Sequence, residues 1–262
     1  MPAHCVVLIL SKFRPMKVSI ITALRNEAAT IETTIKSVTS QSHADIDYIV
    51  IDGKSTDGSA EIIARHAAAD PRIRVVSEED NGVYQAINRG ISLAEGDVVG
   101  TLHGNDRFSD TTVVEKVAAC FEENPDIDVV FGDVHFEDKN GRTIRRYSSA
   151  DFTPRQLLIG IAPPHPSLYV RRSVFDRFGP YKEDYLIGAD FDMFVRLLYI
   201  NGVKYRRLDL DMVAMSVGGL STQFYHRIFT NNREKYRALR ENSVKVCPFS
   251  LLKRYLYNFK RK

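Results

Sequence analysis

Residues 46–59 read IDYIVIDGKSTDGS. Tyr48 to Ile51 is an unbroken apolar run closed by Asp52, and everything after it is turn chemistry: Gly, Ser, Thr and Asp. A short run of this kind predicts a strand buried on both faces, as in a parallel sheet, and the turn predicts a corner into a helix. Upstream lie a second apolar run, VSIITA (18–23), and a helical stretch with Ile31, Ile35 and Val38 at i, i+4 and i+7. Downstream, a helix around Ile62 and Ile63 leads to the strand IRVV, a helix from Gly82 to Leu93 leads to DVVGTL, and a helix from Thr111 to Phe121 leads to DVVFGDV. The alternation predicts a mostly parallel sheet covered by helices on both faces. After Glu137 the order loosens: a turn at Asn140-Gly141 between short strands, a Pro-rich loop APPHP (162–166), a strand SLYV, a helix led by Ala189-Asp190 and a strand VKYRRL.

The chain has 262 residues, 44% hydrophobic and 26% charged, which suits one large folded domain with an appendage and excludes a collagen, a coiled coil or a chain disordered throughout. Cys5–Leu10, the longest early apolar run, is too short to span a membrane and lacks a preceding Lys or Arg, so a cytoplasmic location is expected. Three widely spaced cysteines, Cys5, Cys120 and Cys247, suit reduced thiols better than a disulfide framework or a zinc site. From Gln223 onward eleven Lys or Arg face two Glu, while the whole chain is only +3, so an acidic body ends in a basic tail. That asymmetry argues against a nucleic-acid surface. The expected division is residues 1–15 as a loose arm or a mis-assigned start ahead of Met16, 16–222 as the main domain, and 223–262 as a basic helical tail.

Open parallel sheets bind ligands at the carboxyl ends of their strands, so the polar clusters there are the candidate site: Thr22 to Glu27 (TALRNE), Asp52 to Ser59, His103 to Asp106 (HGND) and Asp133. Taken in order, SIITALRNE, Ser37-Val38-Thr39-Ser40-Gln41, Asp52-Gly53-Lys54-Ser55-Thr56-Asp57-Gly58, EEDNGVYQAINRG and HGND resemble the motifs of glycosyltransferase family 2 over roughly residues 17–205. The resemblance implies a GT-A fold, a Rossmann-like sheet with a small antiparallel acceptor-side portion.

It also implies a donor side formed by Thr22, Arg25, Glu27, Asp52, Asp80, Asn88, Arg89 and Asn105, a Mn²⁺ or Mg²⁺ ion on Asp106, and a catalytic base at Asp190. Asp133, His135, His165 and Asp192 fall on the acceptor side. The chemistry is consistent. A carboxylate at Asp52 can accept the imide N–H of uracil or thymine, favouring a pyrimidine diphosphate sugar, with a UDP-sugar as the expected donor. Arg25 and Arg89 either offset the diphosphate or are solvated surface charges, and His165, held between prolines, either positions a ligand or is structural. An acid at the head of a helix can take the acceptor proton, giving inversion in one displacement. Two positions depart from the family pattern: Asn105 stands where an acid is usual, and Gln85 where Asp is frequent.

The chain has no Trp, hence no Q-x-x-R-W motif of processive polymerases, so transfer of a single sugar is expected. Phe249, Leu252, Leu256 and Phe259 at helical spacing, among Lys253, Arg254, Lys260, Arg261 and Lys262, read either as a helix on an anionic membrane surface or as a terminal helix docked on the domain. In the first case the chain works at the inner face of the cytoplasmic membrane, and the acceptor is a polyprenyl-diphosphate-linked saccharide of bacterial surface polysaccharide synthesis, such as O-antigen or exopolysaccharide. The competing reading is a catalytically inactive sugar-nucleotide or membrane-surface binding module.

Overall fold

The computed structural model describes residues 15–216 and 224–254. Strands β1 (Val18–Leu24), β2 (Ile46–Asp52), β3 (Ile73–Ser77) and β4 (Val98–Thr101) alternate with helices α1 (Ile31–Thr39), α2 (Ser59–Ala69) and α3 (Val83–Leu93). The four strands pair in parallel in the order β3-β2-β1-β4, as the alternation predicts. Leu24 is level with Asp52, and Asp52 with Ser77, so the polar turns after three strands share one rim.

The second half is built differently. It comprises β5 (Asp106–Phe108), α4 (Val113–Glu123), the hairpin β6 (Val129–Glu137) and β7 (Thr143–Tyr147), β8 (Tyr169–Arg171), α5 (Arg172–Phe178), α6 (Ala189–Phe194), β9 (Tyr205–Ser216) and α7 (Phe224–Glu241). β8 lies between β4 and β6 and is antiparallel to both, β9 runs parallel to β6, and β5 pairs antiparallel with β9. The sheet therefore continues as β8-β6-β9-β5, with β7 on β6.

Side chains alternate across the strands and feed two cores. Ile21, Ile49 and Ile51 meet Tyr84, Ile87, Phe191 and Leu197 on one face. Ile20, Tyr48 and Val50 meet Ile31, Ile35, Val117 and Phe121 on the other. Gly90 is required by this packing: a Cβ there would lie 2.4 Å from Ile21 Cγ2, so α3 sits on β1 at backbone distance.

α7, inside the segment read from sequence as a tail, shares the main core, with Ala238 and Leu239 fully buried. Its Glu234 carboxylate accepts the amides of Leu186 (2.8 Å) and Ile187 (2.9 Å), fixing the approach to α6. Gly188 makes that contact possible, since a Cβ would fall 2.8 Å from Glu234 Cβ. Beyond α7 the spacing from Phe249 predicts an α-helix, but Pro248–Leu252 is a 3₁₀ turn. Leu251 is buried against Gly160, while Phe249 and Leu252 are exposed. Leu256, Phe259, Lys260, Arg261 and Lys262 lie outside the described residues, as do residues 1–14.

Candidate functional site

The polar turns on the rim are first a mutual scaffold. The Asn26 amide donates to Ser55 Oγ (2.8 Å), the Thr56 amide to Asn26 Oδ1 (2.9 Å), the Glu27 amide to Ser59 Oγ (2.9 Å) and the Ala28 amide to Asp57 Oδ2 (2.9 Å). Much of STDGS thus laces the β2 turn to the β1 turn. Asn26 and Lys54 take left-handed backbone angles at the two corners.

Several residues expected on the donor side belong to this scaffold. Thr22 is fully buried with its hydroxyl 3.1 Å from Tyr48 Oη, so its side chain does not reach a ligand. Asp52 is 1% exposed and accepts the Ser55 amide (3.1 Å) and Ser77 Oγ (2.8 Å), holding the turn rather than presenting a free edge. The Asn88 side chain clamps the Tyr181 backbone from both sides, donating to its carbonyl (2.8 Å) and accepting its amide (3.0 Å). Arg25 is exposed at the rim. Asp80 leans over Gly53, where a Cβ would lie 2.4 Å from Asp80 Oδ2, and Arg89 pairs with Glu78 at 3.2 Å. Asp80, Gln85, Asn88 and Arg89 line a groove of about 310 Å³ rich in acids.

The HGND loop divides in two. His103 and Asn105 are half-buried, whereas Asp106 opens β5 at 2% exposure. Asp106 Oδ2 has no hydrogen-bond partner among the described residues. Burial, with the nearby Glu27 charge, pushes the Asp106 carboxyl up to about 7. Glu27 is itself raised by burial, against the Thr30 hydroxyl, with the Asp57 charge adding to it. This donor set does not fit the expected Mn²⁺ or Mg²⁺ ion. Hard cations take oxygens, charged ones best, yet the more open loop positions offer an imidazole and an uncharged amide, and the loop's one carboxylate, Asp106, is walled in at 2% exposure. Among the described residues no three His, Cys, Asp or Glu side chains are placed to hold an ion together.

His103 belongs to a different cluster. Its ring lies 5.9 Å from that of His165, and His165 Nε2 is 2.9 Å from Tyr181 Oη. Tyr181 stacks on Tyr84 of α3, their ring centroids 5.9 Å apart. Burial lowers both histidines to about 4, so they are neutral; for His103 the neighbouring His165 adds to the lowering and Asp190 opposes it.

Asp190 heads α6 and lines a cavity of about 500 Å³ together with His165, Asn231 and Lys235. One carboxylate oxygen accepts the Phe191 amide at 2.6 Å. Burial raises the Asp190 carboxyl, opposed by Lys235, the Phe191 amide and His103. Lys235 Nζ donates to Gly160 O (2.7 Å) over the Phe191 ring and is lowered to about 8 by burial and by Arg254, with Asp190 pulling the other way. Spacing gave no signal for Lys235: it lies 45 residues beyond Asp190 and meets it only because α7 packs on α6.

Three residues expected on the acceptor side are not in this cavity. Asp192 is fully buried, held by Lys182 (2.8 Å), Arg196 (2.8 Å) and Asn242 (2.8 Å). Two residues past Asp190 on a helix it faces inward and anchors α6. Asp133 and His135 lie on one side of β6 while Val134 and Phe136, the alternate residues, line the cavity. Asp133 accepts the Ser149 amide (2.8 Å) and Arg207 (3.0 Å); burial pushes its carboxyl up, but these bonds hold it below the usual range. His135 sits 2.9 Å from Glu137 and 2.9 Å from Asp211.

The family model for glycosyl transferase family 2 matches residues 19–178, more than half of the chain. A PGL/p-HBAD biosynthesis glycosyltransferase of Mycobacterium tuberculosis is 29% identical over 213 residues, 80% of this chain and 81% of that protein. Among solved structures, Staphylococcus aureus TarS 1–349 in complex with UDP-GlcNAc superposes with a TM-score of 0.68 at 18% identity, covering 86% of this chain and 66% of that one, just under two thirds. Mannosyltransferase PcManGT from Pyrobaculum calidifontis, in complex with GDP-Man and Mn²⁺, gives a TM-score of 0.67 at 18% identity over 94% of this chain and 70% of that one. The shared architecture is the GT-A fold.

Proposed function

The chain belongs to glycosyl transferase family 2, and on that premise we propose that it moves one sugar from a nucleoside diphosphate sugar to an acceptor hydroxyl, with inversion and without processivity. The observation that carries this reading is the setting of Asp190: a carboxyl raised by burial, at the head of α6, opening on a cavity shared with His165 and Lys235. A carboxylate so placed is a stronger base than a solvated Asp and can take a hydroxyl proton from an acceptor in the cavity. As the proton passes to Asp190, the acceptor oxygen attacks the anomeric carbon, and the bond to the diphosphate breaks with its electron pair on the departing nucleotide. No covalent sugar intermediate is needed. No step is assigned to a metal ion, because the HGND loop does not supply the ligands.

UDP-sugar is the preferred donor class, supported by the UDP-GlcNAc in the TarS complex, although the GDP-Man complex of PcManGT has a comparable fold similarity. The acceptor is a glycan or lipid-linked saccharide, a reading that rests on the basic end of the chain, and the mycobacterial relative is likewise named as a biosynthetic glycosyltransferase. Among the described residues no helix is long and apolar enough to cross a membrane. Peripheral contact through the basic end is instead suggested by exposed Phe249 and Leu252 beside Lys253. Deleting residues 248–262 should shift the protein from membrane to soluble fractions; unchanged partitioning would remove that contact.

Asn105 favours one other reading, a sugar-nucleotide binder without turnover. The test is product formation from UDP-sugars, with the anomeric configuration read by NMR. An inverted linkage supports the enzyme, and nucleotide binding with no product under any acceptor supports the binder.

A further inference from the structure

We propose that the cavity beside Asp190 selects an acceptor carrying an apolar group, an aryl ring or the methyl of a deoxy sugar, next to the hydroxyl that receives the sugar. The inference rests on Asp190 as the base and adds the chemistry of what it deprotonates. The cavity, about 500 Å³, has two unlike walls. Helices α6 and α7 supply its polar side: Asp190, Asn231 and Lys235. The strands supply Val134, Phe136, Tyr147 and Met215.

Two polar groups at the strand wall are engaged within the protein. Tyr147 donates its hydroxyl to Ala162 O at 2.9 Å, which commits its proton, and His165 Nε2 is taken by Tyr181 Oη at 2.9 Å. The split is built by strand register, since β6 turns Val134 and Phe136 into the cavity and sends Asp133, with its Arg207 ion pair, elsewhere. A fully hydroxylated ring would leave hydroxyls unpaired against that wall, each costing about ten- to hundredfold in affinity. A ring with one apolar edge meets both walls: the edge toward Phe136 and Met215, the hydroxyl toward Asp190.

The test uses the full chain and three probes: p-nitrophenyl β-glucoside, methyl 6-deoxy-β-glucoside and methyl β-glucoside, read by saturation-transfer NMR and by competition. At least one apolar probe should bind tenfold or more tightly than methyl β-glucoside, with saturation strongest on its aryl or methyl protons. The aryl and deoxy probes tell the two sources of apolarity apart. Phe136→Asn and Met215→Gln, both partly exposed positions, should each abolish the preference while nucleotide binding is retained. Equal binding of all three probes, no binding of the apolar ones, or a preference indifferent to both substitutions would overturn the proposal. Binding needs no turnover, so it separates from the base assignment: Asp190→Asn that still transfers sugar would sink the base while leaving the preference readable.

Discussion

The rings of His103 and His165 lie 5.9 Å apart, tilted by 34°. One comes from the turn after β4 and the other from the Pro-rich loop before β8, so this contact joins the parallel half of the sheet to the half that carries the cavity.

Both rings are neutral because burial penalises their charge, and this makes the junction acid-sensitive. A folded-state value near 4 against about 6.5 unfolded means the unfolded chain binds more protons between those values. His165 therefore adds stability that is full above about pH 6.5 and is lost as pH falls toward 4, on the order of 3 kcal/mol. Thermal melts should show His165→Gln losing less stability than the wild type across that window; parallel curves would contradict it.

Lys235 is expected to set the working pH. Its charge favours ionised Asp190, so Lys235→Met should move the acidic limb of kcat/KM to higher pH, while Lys235→Arg keeps it in place. Nucleotide affinity should not change in either. A limb that stays put in Lys235→Met would show that the two groups are uncoupled.

Much of this was legible in sequence, and the reasons for the misses are local. The parallel half follows from period and turns: the VSIITA and DYIVID runs are β1 and β2, and Ile31, Ile35 and Val38 face the core. Asp190 was identified by its motif and stands at the cavity. Thr22, Asp52 and Asn88 brace the turns and the Tyr181 backbone in the structure, and sequence could not separate that role from ligand contact, because residues that support a site share its motifs with residues that line it. Asp133, His135 and Asp192 lie outside the cavity beside Asp190 by orientation, strand parity in two cases and helix rotation in the third. Lys235 has no local signature at all.

Asp192 is expected to matter for stability rather than chemistry. Removing its charge leaves Lys182 and the more enclosed Arg196 short of a partner, a loss of about 3–5 kcal/mol for a buried pair. Asp192→Asn should lower the urea midpoint strongly and, well below its melting temperature, still bind nucleotide. A variant of wild-type stability would refute the anchoring role.

The HGND loop gives a paired prediction. Asn105→Asp places a carboxylate at a half-buried position and should raise Mn²⁺ affinity, read by electron paramagnetic resonance, roughly tenfold or more. Asp106→Asn should instead act on stability. Because the Asp106 carboxyl is raised to about 7, its ionisation costs folding energy as pH rises from about 4 through 7, so the variant should gain on the wild type at and above neutrality. A collapse of Mn²⁺ binding in Asp106→Asn would restore Asp106 as a ligand.

The most direct test of the central claim is transfer and donor binding measured together on Asp190→Asn. With Asp190 as base, transfer should fall by at least about a hundredfold, the lower bound for losing general-base catalysis, while calorimetry gives a wild-type nucleotide affinity. Transfer at the wild-type rate, with the same affinity, would place the base elsewhere and contradict the account.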